Sequence, residues 1–223
     1  MNYVLGSGDT IGDILFWQGE RHWEWDVTPV FAGIAQKAQG LFLDVGANFG
    51  IYSLLACALN PELRVVAWEP VPFINERMKL NARQNGFGSR IDCRQAAVAE
   101  EKGAAVFFAH EDATMGSLSD RSGHGQPFSV PLESVDDVIA PGTPIGLVKI
   151  DVEGHEVGAL KGMRRILAES HPPIIFECLD AQAWHPLEAF LKGYGYSICS
   201  ISGNVRAAAQ FRDGVTNYLA KHE

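Results

Sequence analysis

The residues best placed for chemistry are two acids, Asp44 and Glu69, which lie at the ends of apolar runs in the first half of the chain. Asp44 stands beside the turn 46–50, whose sequence is GANFG. A carboxylate beside such a turn repels a pyrophosphate but attracts an ammonium or a sulfonium. Glu69 lies where nucleoside-binding folds place an acid that accepts hydrogen bonds from both hydroxyls of a ribose. The acids and the turn together predict a site for a cationic nucleoside, a description that S-adenosylmethionine meets.

The glycines of this turn allow the backbone to reverse sharply and to pass close to other groups. Gly46 permits the turn after the strand, and Gly50 lets the start of the next helix lie close to a ligand or a strand. A dinucleotide fingerprint would instead read G-x-G-x-x-G and would direct a helix N-terminus at a pyrophosphate. Because that pattern is absent, a nicotinamide-dependent oxidoreductase is the weaker enzyme interpretation. Taken singly, each acid is more often a solvated strand end.

A second group of polar residues follows an apolar run in the later half of the chain. Strand alternation places Lys149, Asp151 and Glu153 on one side of this segment. His155 follows soon after, and Glu177 lies near the end of the next apolar run. Since open α/β sheets bind ligands outside the carboxyl ends of their strands, we expect these residues to border the same crevice as the first two acids.

This second group offers a base for a reaction at a hydroxyl group. We expect Asp151 or His155 to accept the hydroxyl proton, as a positioned general base does. The same residues also have simpler interpretations, in which Asp151 orients the loop, Glu153 or Glu156 caps the following helix and His155 lies in solvent. The sequence leaves these alternatives open.

Another role for the second group is to hold a metal ion. A bound Mg²⁺ would orient a diol or catechol acceptor, and this ion prefers oxygen-rich ligand sets. The residues available to it are Asp151, Glu153, His155 and Glu177. Against this role, Glu153 and Glu156 are well explained by a helix start, where the helix dipole favours acids. We therefore assign no metal ligand and keep a metal-assisted reaction as an alternative.

The elements that must position these residues alternate along the chain from residue 41 onward. Short apolar runs predict seven strands, which are 41–45, 65–68, 91–98, 145–150, 174–178, 196–201 and 216–220. Apolar residues at three-and-four spacing predict helices, which are 51–59, 74–85, 156–168 and 187–192. This order predicts an α/β, Rossmann-like fold with a mostly parallel seven-stranded sheet and helices on both faces.

An N-terminal extension, residues 1–40, precedes this alternation. Thr28 as the N-cap and Pro29 as the first helical residue predict a helix through Ala38 that packs across the sheet. The aromatic residues of the extension bury it against the core or help to wall the site, and the first role is the more typical. They are Phe16, Trp17, Trp23 and Trp25.

Two later segments also depart from the alternation. Residues 107–108 and 128–130 predict two short extra strands around the polar segment 111–126, which is either an active-site lid or a solvated loop. The last strand, 216–220, is expected to insert antiparallel at the sheet edge. Residues 41–223 then form one cofactor-binding domain, on which the extension packs.

The composition limits the kinds of binding partner and the cellular compartment that we expect. The formal net charge is −9 and the 18 Lys and Arg residues are scattered, so we expect no nucleic-acid or membrane partner. The 4 cysteines lie far apart without C-x-x-C spacing, which predicts reduced core residues. Without a leader pattern or a run of about 20 apolar residues, we expect a cytoplasmic protein that acts on a small molecule. The sequence leaves homo-oligomer formation open.

With these motifs the chain resembles the FkbM family of S-adenosylmethionine-dependent methyltransferases. The resemblance rests on residues 42–50 (FLDVGANFG), 68–70 (WEP) and 148–156 (VKIDVEGHE), and it covers most of residues 41–201. Many methyltransferase families share the first motif, whereas its combination with the DVEG-x-E run is more specific. The resemblance implies a class I methyltransferase fold and methyl transfer, usually to a hydroxyl of a sugar or a secondary metabolite.

The resemblance also implies roles for individual residues. The methionine part of the cofactor would be held by Asp44, Gly46, Asn48 and Gly50. Glu69 would hold the ribose, Pro70 is expected to pack on the adenine, and backbone groups of Ala96 and Ala97 would bind the adenine. Asp151 would face the transferred methyl group. A protein that binds the nucleoside or another metabolite without catalysis is the alternative from another functional class.

Overall fold

The helices and strands lie in the parts of the chain that the computed structural model describes, which are residues 2–3, 24–109, 116–117, 126–179, 181–202, 204–207, 211, 214 and 216–222. In chain order, the helices are α1 (Val27–Ala35), α2 (Ile51–Leu59), α3 (Pro72–Gln84), α4 (Val135–Val138), α5 (Glu156–Lys161), α6 (Arg164–Glu169) and α7 (Ala181–Gly193). The strands are β1 (Leu41–Val45), β2 (Arg64–Trp68), β3 (Ile91–Arg94), β4 (Ala97–Val98), β5 (Gly103–Ala109), β6 (Gly116–Ser117), β7 (Gln126–Glu133), β8 (Ile145–Ile150), β9 (Ile174–Glu177), β10 (Tyr196–Ser202), β11 (Asn204–Ala207) and β12 (Asn217–His222).

A main sheet runs through the centre of the fold in the order β11-β10-β12-β9-β8-β1-β2-β3. The five strands from β9 to β3 in this order pair in parallel. Each of the seven predicted segments contributes a strand to the sheet, and β11 adds an eighth at one edge. The α/β, Rossmann-like architecture with a mostly parallel sheet is therefore confirmed.

The position of the last strand was predicted wrongly. β12 does not lie at the sheet edge but between β9 and β10, and it is antiparallel to both. β10 pairs with the outer side of β12 and continues into β11, so the hairpin of β10 and β11 forms the edge of the sheet. The insertion pairs Asn217 with Glu177, so β12 begins beside the carboxyl end of β9.

Apolar side chains on both faces of the sheet hold it between the helices. Leu43 and Val148 belong to the core cluster of one face, whereas Phe42, Leu147 and Ile175 belong to the cluster of the other. The division follows from the strand period, since successive side chains point to opposite faces. Burial on both faces also explains why these strands read as nearly continuous apolar runs.

Three predicted elements have different bounds in the structure. The predicted strand 91–98 divides into β3 in the main sheet and β4, which pairs with β7. The predicted helix 156–168 divides into α5 and α6 near Gly162, where a Cβ would overlap the carbonyl oxygen of Ala99. α7 begins well before the predicted residue 187, because it accommodates Pro186 inside the helix.

A second, smaller sheet has the order β4-β7-β5-β6 and packs beside the end of β2. It contains both predicted extra strands, since residues 107–108 lie in β5 and residues 128–130 in β7. Glu133 at the end of β7 joins the two sheets. Its Oε2 accepts a hydrogen bond from Trp68 Nε1 at 2.9 Å and pairs with Arg94 Nε at 2.6 Å. Of the predicted lid 111–126, the structure describes β6 and the backbone of Gln126, and the rest lies outside the described residues.

The helix of the N-terminal extension begins earlier than predicted. Its N-cap is Asp26, whose Oδ1 accepts a hydrogen bond from the Val27 N–H at 3.0 Å, and not Thr28. The helix also ends at Ala35, three residues before the predicted end. Phe31 packs edge-on against Phe42 of β1 at 5.2 Å between ring centroids, which fixes α1 on the sheet.

Of the four aromatic residues predicted to pack the extension or wall the site, the structure describes only Trp25. Its side chain is 64% exposed, so it neither buries the extension nor walls a cavity. Phe16, Trp17 and Trp23 lie outside the described residues.

The cysteines match the predicted core positions only in part, because Cys93 and Cys199 are half-buried. All four are described and free, and Cys57 and Cys178 are buried. In the described ranges, no helix has the length and apolar content that a membrane span requires.

Candidate active site

A cavity of about 340 Å³ lies at the carboxyl ends of the parallel strands. It brings together both predicted groups of polar residues. The predicted residues that line it are Asp44, Gly46, Asn48, Glu69, Pro70, Ala96, Ala97, Asp151, Glu153, His155 and Glu177. Gly50 lies outside this lining, and a Cβ there would come within 2.9 Å of Cγ of Met78 on α3. Gly50 therefore serves the packing of two helices.

Gly46 joins the two groups through the backbone. Its φ is +81°, and a Cβ at this position would overlap the carbonyl oxygen of Asp151. The neighbouring Val45 carbonyl accepts a hydrogen bond from the Asp151 N–H at 2.9 Å. The turn after β1 is thus shaped for close contact with the end of β8, as much as for contact with a ligand.

Asp44 is 1% exposed at the carboxyl end of β1. Its Oδ2 accepts a hydrogen bond from the Ser53 hydroxyl, on the first turn of α2, at 2.6 Å. Burial raises the pKa of Asp44 to about 6, although Lys149 and the Ser53 hydroxyl act to lower it. A cation bound beside Asp44 would stabilise the ionised carboxylate.

Glu69 follows β2 and is held by two backbone groups. Its Oε1 accepts a hydrogen bond from the Val71 N–H at 2.8 Å, and its Oε2 accepts one from the Asn48 N–H at 3.1 Å. Burial raises the pKa of Glu69 to about 7, while these two N–H groups act to lower it. Each carboxylate oxygen has a second lone pair, so both can still accept hydrogen bonds from ribose hydroxyls.

An apolar wall adjoins Glu69 on one side of the cavity. Pro70, Val71 and Ile74 form it together with Ala97 of β4 and Phe107 of β5. The Phe107 ring packs edge-on against Phe128, with 5.6 Å between the ring centroids. An apolar slot beside a ribose site suits an aromatic base. Sequence reasoning placed Phe107 in a strand but gave it no role in the site.

Three acids gather on the opposite side of the cavity. Carboxylate oxygens of Asp151, Glu153 and Glu177 lie within 4.8 Å of one another. Glu153 has φ +52° and Gly154 has φ +95°, so the loop after β8 turns through the left-handed region. Burial, together with the charges of Asp151 and Glu153, raises the pKa of Glu177 to about 8. Sequence reasoning placed these acids together correctly.

The end of this loop begins α5. His155 is the N-cap residue of the helix and lines the cavity. Glu156 points away from the cavity lining and is buried, with its Oε1 accepting a hydrogen bond from the Gly154 N–H at 2.9 Å. Glu156 thus holds the loop at the helix start, as its position in the sequence suggested.

One cation faces these acids from the middle of the sheet. Lys149 Nζ pairs with Asp151 Oδ2 at 2.8 Å and lies 4.6 Å from the centroid of the Tyr52 ring. The Tyr52 hydroxyl donates a hydrogen bond to Glu24 Oε2 at 2.5 Å. Tyr52 and Glu24 line the cavity, and neither was predicted from the sequence. Tyr52 was detectable as a polar aromatic residue on the first turn after the glycine turn, whereas Glu24 carried no signal.

The charge of the cavity fits the cofactor expected from the sequence. Lys149 is the single Lys or Arg among the lining residues that the structure describes, and six acids face it, which are Glu24, Asp44, Glu69, Asp151, Glu153 and Glu177. Such a lining attracts a ligand with net positive charge. S-adenosylmethionine carries a sulfonium and an ammonium against one carboxylate, and its ribose and adenine match Glu69 and the apolar wall.

Comparison with known proteins gives a family match over most of the chain. The family model described as the methyltransferase FkbM domain matches residues 44–198. The chain is 27% identical to the 31-O-demethyl-FK506 methyltransferase FkbM of Streptomyces tacrolimicus, over 74% of this chain and 76% of that protein.

Solved structures share the fold. A methyltransferase FkbM from Methylobacillus flagellatus KT superposes with a TM-score of 0.55 at 18% identity, over 82% of this chain and 43% of that one. This chain therefore spans less than half the length of that protein. A putative rRNA methylase from Clostridium thermocellum superposes with a TM-score of 0.56 at 10% identity, over 88% of this chain and 94% of that one. At these identities the likeness concerns the fold alone.

Proposed function

Because the chain belongs to the FkbM family of methyltransferases, we propose that it transfers the methyl group of S-adenosylmethionine to a hydroxyl oxygen of a small molecule. The observation that carries the proposal is the single cavity that holds both the acids of the glycine turn and the acids after β8. One group suits a cationic nucleoside, and the other offers a base beside it.

The cofactor would be held by the first group of residues. Asp44 would bind the ammonium of its methionine part, and Glu69 would accept hydrogen bonds from the ribose hydroxyls. The backbone of Ala96 and Ala97 would contact the adenine, with Pro70 on the apolar wall beside it. When bound, the cofactor supplies a methyl group that the sulfonium has already activated.

The chain itself must then position the acceptor and remove one proton. Alignment of two reacting groups accounts for much of the rate in such a transfer, because the entropy of bringing them together is already lost on binding. Asp151 or His155 would accept the proton of the acceptor hydroxyl, since both line the cavity at the end of β8. A positioned base contributes about 10² to 10⁴ in rate.

The test is a mass-spectrometric screen of hydroxylated acceptors with the protein and S-adenosylmethionine. The panel would contain monosaccharides, polyols, phenols and hydroxylated macrocycles, and we expect one of these classes to gain one methyl group. Asp151→Asn and His155→Ala identify the base, and Asp92→Asn is the matched control because that acid lies exposed on β3. Methylation at nitrogen or carbon alone would contradict transfer to oxygen. Binding of S-adenosylhomocysteine without methylation of any acceptor would favour a protein that only binds the nucleoside.

One observation favours a metal-assisted variant of this function. The carboxylates of Asp151, Glu153 and Glu177 come close enough together to share one ion. A hard divalent cation there would bind both oxygens of a diol or catechol acceptor and lower the pKa of the reacting hydroxyl. Treatment with a chelator, followed by added Mg²⁺, decides between the two. Full activity after chelation would exclude the metal-assisted reaction and support the metal-independent one.

A further inference from the structure

Lys149 is placed between the two groups of acids. In the parallel ladder its Cα is the register partner of Asp44 on β1, so the two side chains lie on the same face of neighbouring strands. Its Nζ pairs with Asp151 Oδ2 at 2.8 Å. The residue is 4% exposed, whereas the Asp151 side chain is 29% exposed and faces the cavity. The ammonium is thus buried, and the carboxylate that it holds is open to a ligand.

Tyr52, which is hydrogen-bonded to Glu24, lies on another side of the ammonium. The Tyr52 ring lies 4.6 Å from Lys149 Nζ, where a cation is attracted to the face of an aromatic ring. The Tyr52 hydroxyl donates its hydrogen bond to Glu24 Oε2. Three elements of the fold therefore converge on one ammonium: β8, the first turn of α2, and the segment before α1.

Glu24 reaches this position through an uncommon backbone conformation. Its φ is +39°, in the left-handed region that residues other than glycine rarely adopt. Its carbonyl oxygen accepts hydrogen bonds from the N–H groups of Val27 and Thr28, which fasten it to the start of α1. Glu24 lies outside residues 44–198, which match the family model, so the N-terminal extension adds a charged side chain to the cavity.

A purely structural role explains this arrangement poorly. Removing a lysine and several carboxylates from water is costly, and apolar residues of similar volume generally stabilise a core as well or better. The burial of Lys149 disfavours its charged form, yet the charges of Asp151 and Glu24 outweigh burial and hold the pKa of Lys149 well above its usual value. The network therefore keeps a fixed positive charge behind the cavity-facing carboxylate of Asp151.

We propose that Lys149 is a positioning residue which, supported by Tyr52 and Glu24, fixes the Asp151 carboxylate toward the acceptor. This inference rests on the proposed function, because it assigns the acceptor to the side of Asp151. The cofactor side has its own supports in the Ser53 hydroxyl and in backbone N–H groups. Loss of the network should therefore reduce turnover much more than cofactor affinity.

Three variants test the network by changing one side chain each. Lys149→Met removes the charge at similar volume and should lower kcat about 100-fold, the loss typical of a misplaced reacting group. Tyr52→Phe keeps the ring under the ammonium, and Glu24→Gln keeps an acceptor for the tyrosine hydroxyl. Each of these two should lower kcat about tenfold, since the contact of Lys149 with Asp151 remains. Lys192→Met, at an exposed lysine of α7 that pairs with Glu188, is the matched control and should leave kcat unchanged.

The measurements are kcat and KM with the acceptor found in the screen, and the Kd of S-adenosylhomocysteine by calorimetry. We expect a fall in kcat while the cofactor Kd, measured at about pH 8 so that Asp44 remains ionised without Lys149, stays within about threefold. A general loss of folded protein would not produce this split. A folded Lys149→Met protein with wild-type kcat would overturn the proposal. If that variant does not fold, unchanged kcat in both Tyr52→Phe and Glu24→Gln would overturn it equally.

A second measurement needs no acceptor and so separates this inference from the proposed function. In protein labelled with ¹⁵N at lysine Nζ, a buried and hydrogen-bonded ammonium should give a signal that exposed lysines lose through exchange with water. We expect that signal to vanish in Lys149→Met and to shift in Glu24→Gln and Asp151→Asn. The lack of such a signal, or its insensitivity to both neighbours, would overturn the network even where the wild-type protein methylates an acceptor.

Discussion

The two sides of the cavity are held in different ways. On the cofactor side, Glu69 accepts hydrogen bonds from the backbone N–H groups of Asn48 and Val71. On the acceptor side, Asp151 is held by the side chain of Lys149. Backbone groups are fixed by the fold itself, whereas a side-chain ammonium depends on its neighbours. The cofactor side is therefore expected to tolerate changes elsewhere in the molecule, and the acceptor side to respond to them.

The largest effect is expected at Gly46, where the two sides meet. A Cβ there would overlap the Asp151 carbonyl oxygen, and its φ of +81° is strained for alanine. Gly46→Ala should lower the free energy of unfolding by about 3 kcal/mol, as the sum of strain and overpacking. Gly142→Ala is the matched control, because Gly142 has φ +74° with nothing within 4 Å of a Cβ. Gly142→Ala should lower the free energy of unfolding by about 1 kcal/mol. If urea denaturation gives the same loss in the free energy of unfolding for both variants, the close contact of Gly46 with the Asp151 carbonyl does not contribute to the effect.

A smaller effect is expected from replacing one acid on each side, and it should distinguish cofactor binding from turnover. Asp44→Asn removes the buried carboxylate on the cofactor side and should raise the Kd of S-adenosylmethionine about 30-fold, or about 2 kcal/mol. Asp151→Asn should change that Kd by less than about threefold while lowering kcat about 100-fold. Calorimetry and initial rates check the pair, with Asp92→Asn as the exposed control. The same change in Kd for both variants would mean that the two acids serve one ligand.

The cofactor side was largely predictable from the sequence because its supports are local. Asp44 and Glu69 end strands whose apolar runs are easy to recognise, and the glycine turn follows directly. Parallel strands bring such ends to one edge of a sheet, so their proximity follows from topology. The roles of the glycines were harder to predict, since Gly46 and Gly50 make room for Asp151 and Met78, which lie far away in sequence.

On the acceptor side, the acids could be predicted from the sequence, but the residues that support them could not. Strand alternation placed Lys149 and Asp151 on one face, and the structure confirms this. Glu24 and Tyr52 escaped prediction because their contacts join segments that are distant in the chain. Hydrophobic periodicity does not reveal a residue with positive φ before a helix. In addition, Thr28 was predicted as the N-cap, so the turn that contains Glu24 was not predicted. The insertion of β12 between β9 and β10, beside Glu177, likewise depends on pairing between strands that are distant in the chain.

The pH dependence of cofactor binding should also come from the cofactor side. Burial raises the pKa of Asp44 to about 6 and of Glu69 to about 7. In the free protein these carboxyls keep protons that the unfolded chain has already lost, so their contribution to stability falls as pH rises through these values. A bound cation favours the ionised forms, and affinity for S-adenosylmethionine should therefore increase with pH over the same range.

Calorimetry between about pH 5.5 and about pH 7.5 should show affinity rising about tenfold. The Glu69→Gln variant should bind S-adenosylmethionine more weakly at every pH in this range. Its affinity should still rise with pH near pH 6, because that part of the rise comes from Asp44. Affinity that falls as pH rises would mean that these carboxyls bind the cofactor in their protonated forms.

The smallest effect is expected at the apolar wall, where the support comes from the second sheet. Phe107→Leu keeps an apolar side chain but loses the edge-on contact with the Phe128 ring and the flat surface offered to the adenine. An aromatic contact of this kind is worth about 0.5–1.5 kcal/mol, so the Kd of S-adenosylhomocysteine should rise about threefold to tenfold. Phe73→Leu is the control, since Phe73 is an exposed ring on α3. Because Phe107 belongs to the apolar wall beside Glu69, kcat should remain at the wild-type value at saturating cofactor. A fall in kcat would show that the second sheet also shapes the acceptor side, and that the two sides are not independent.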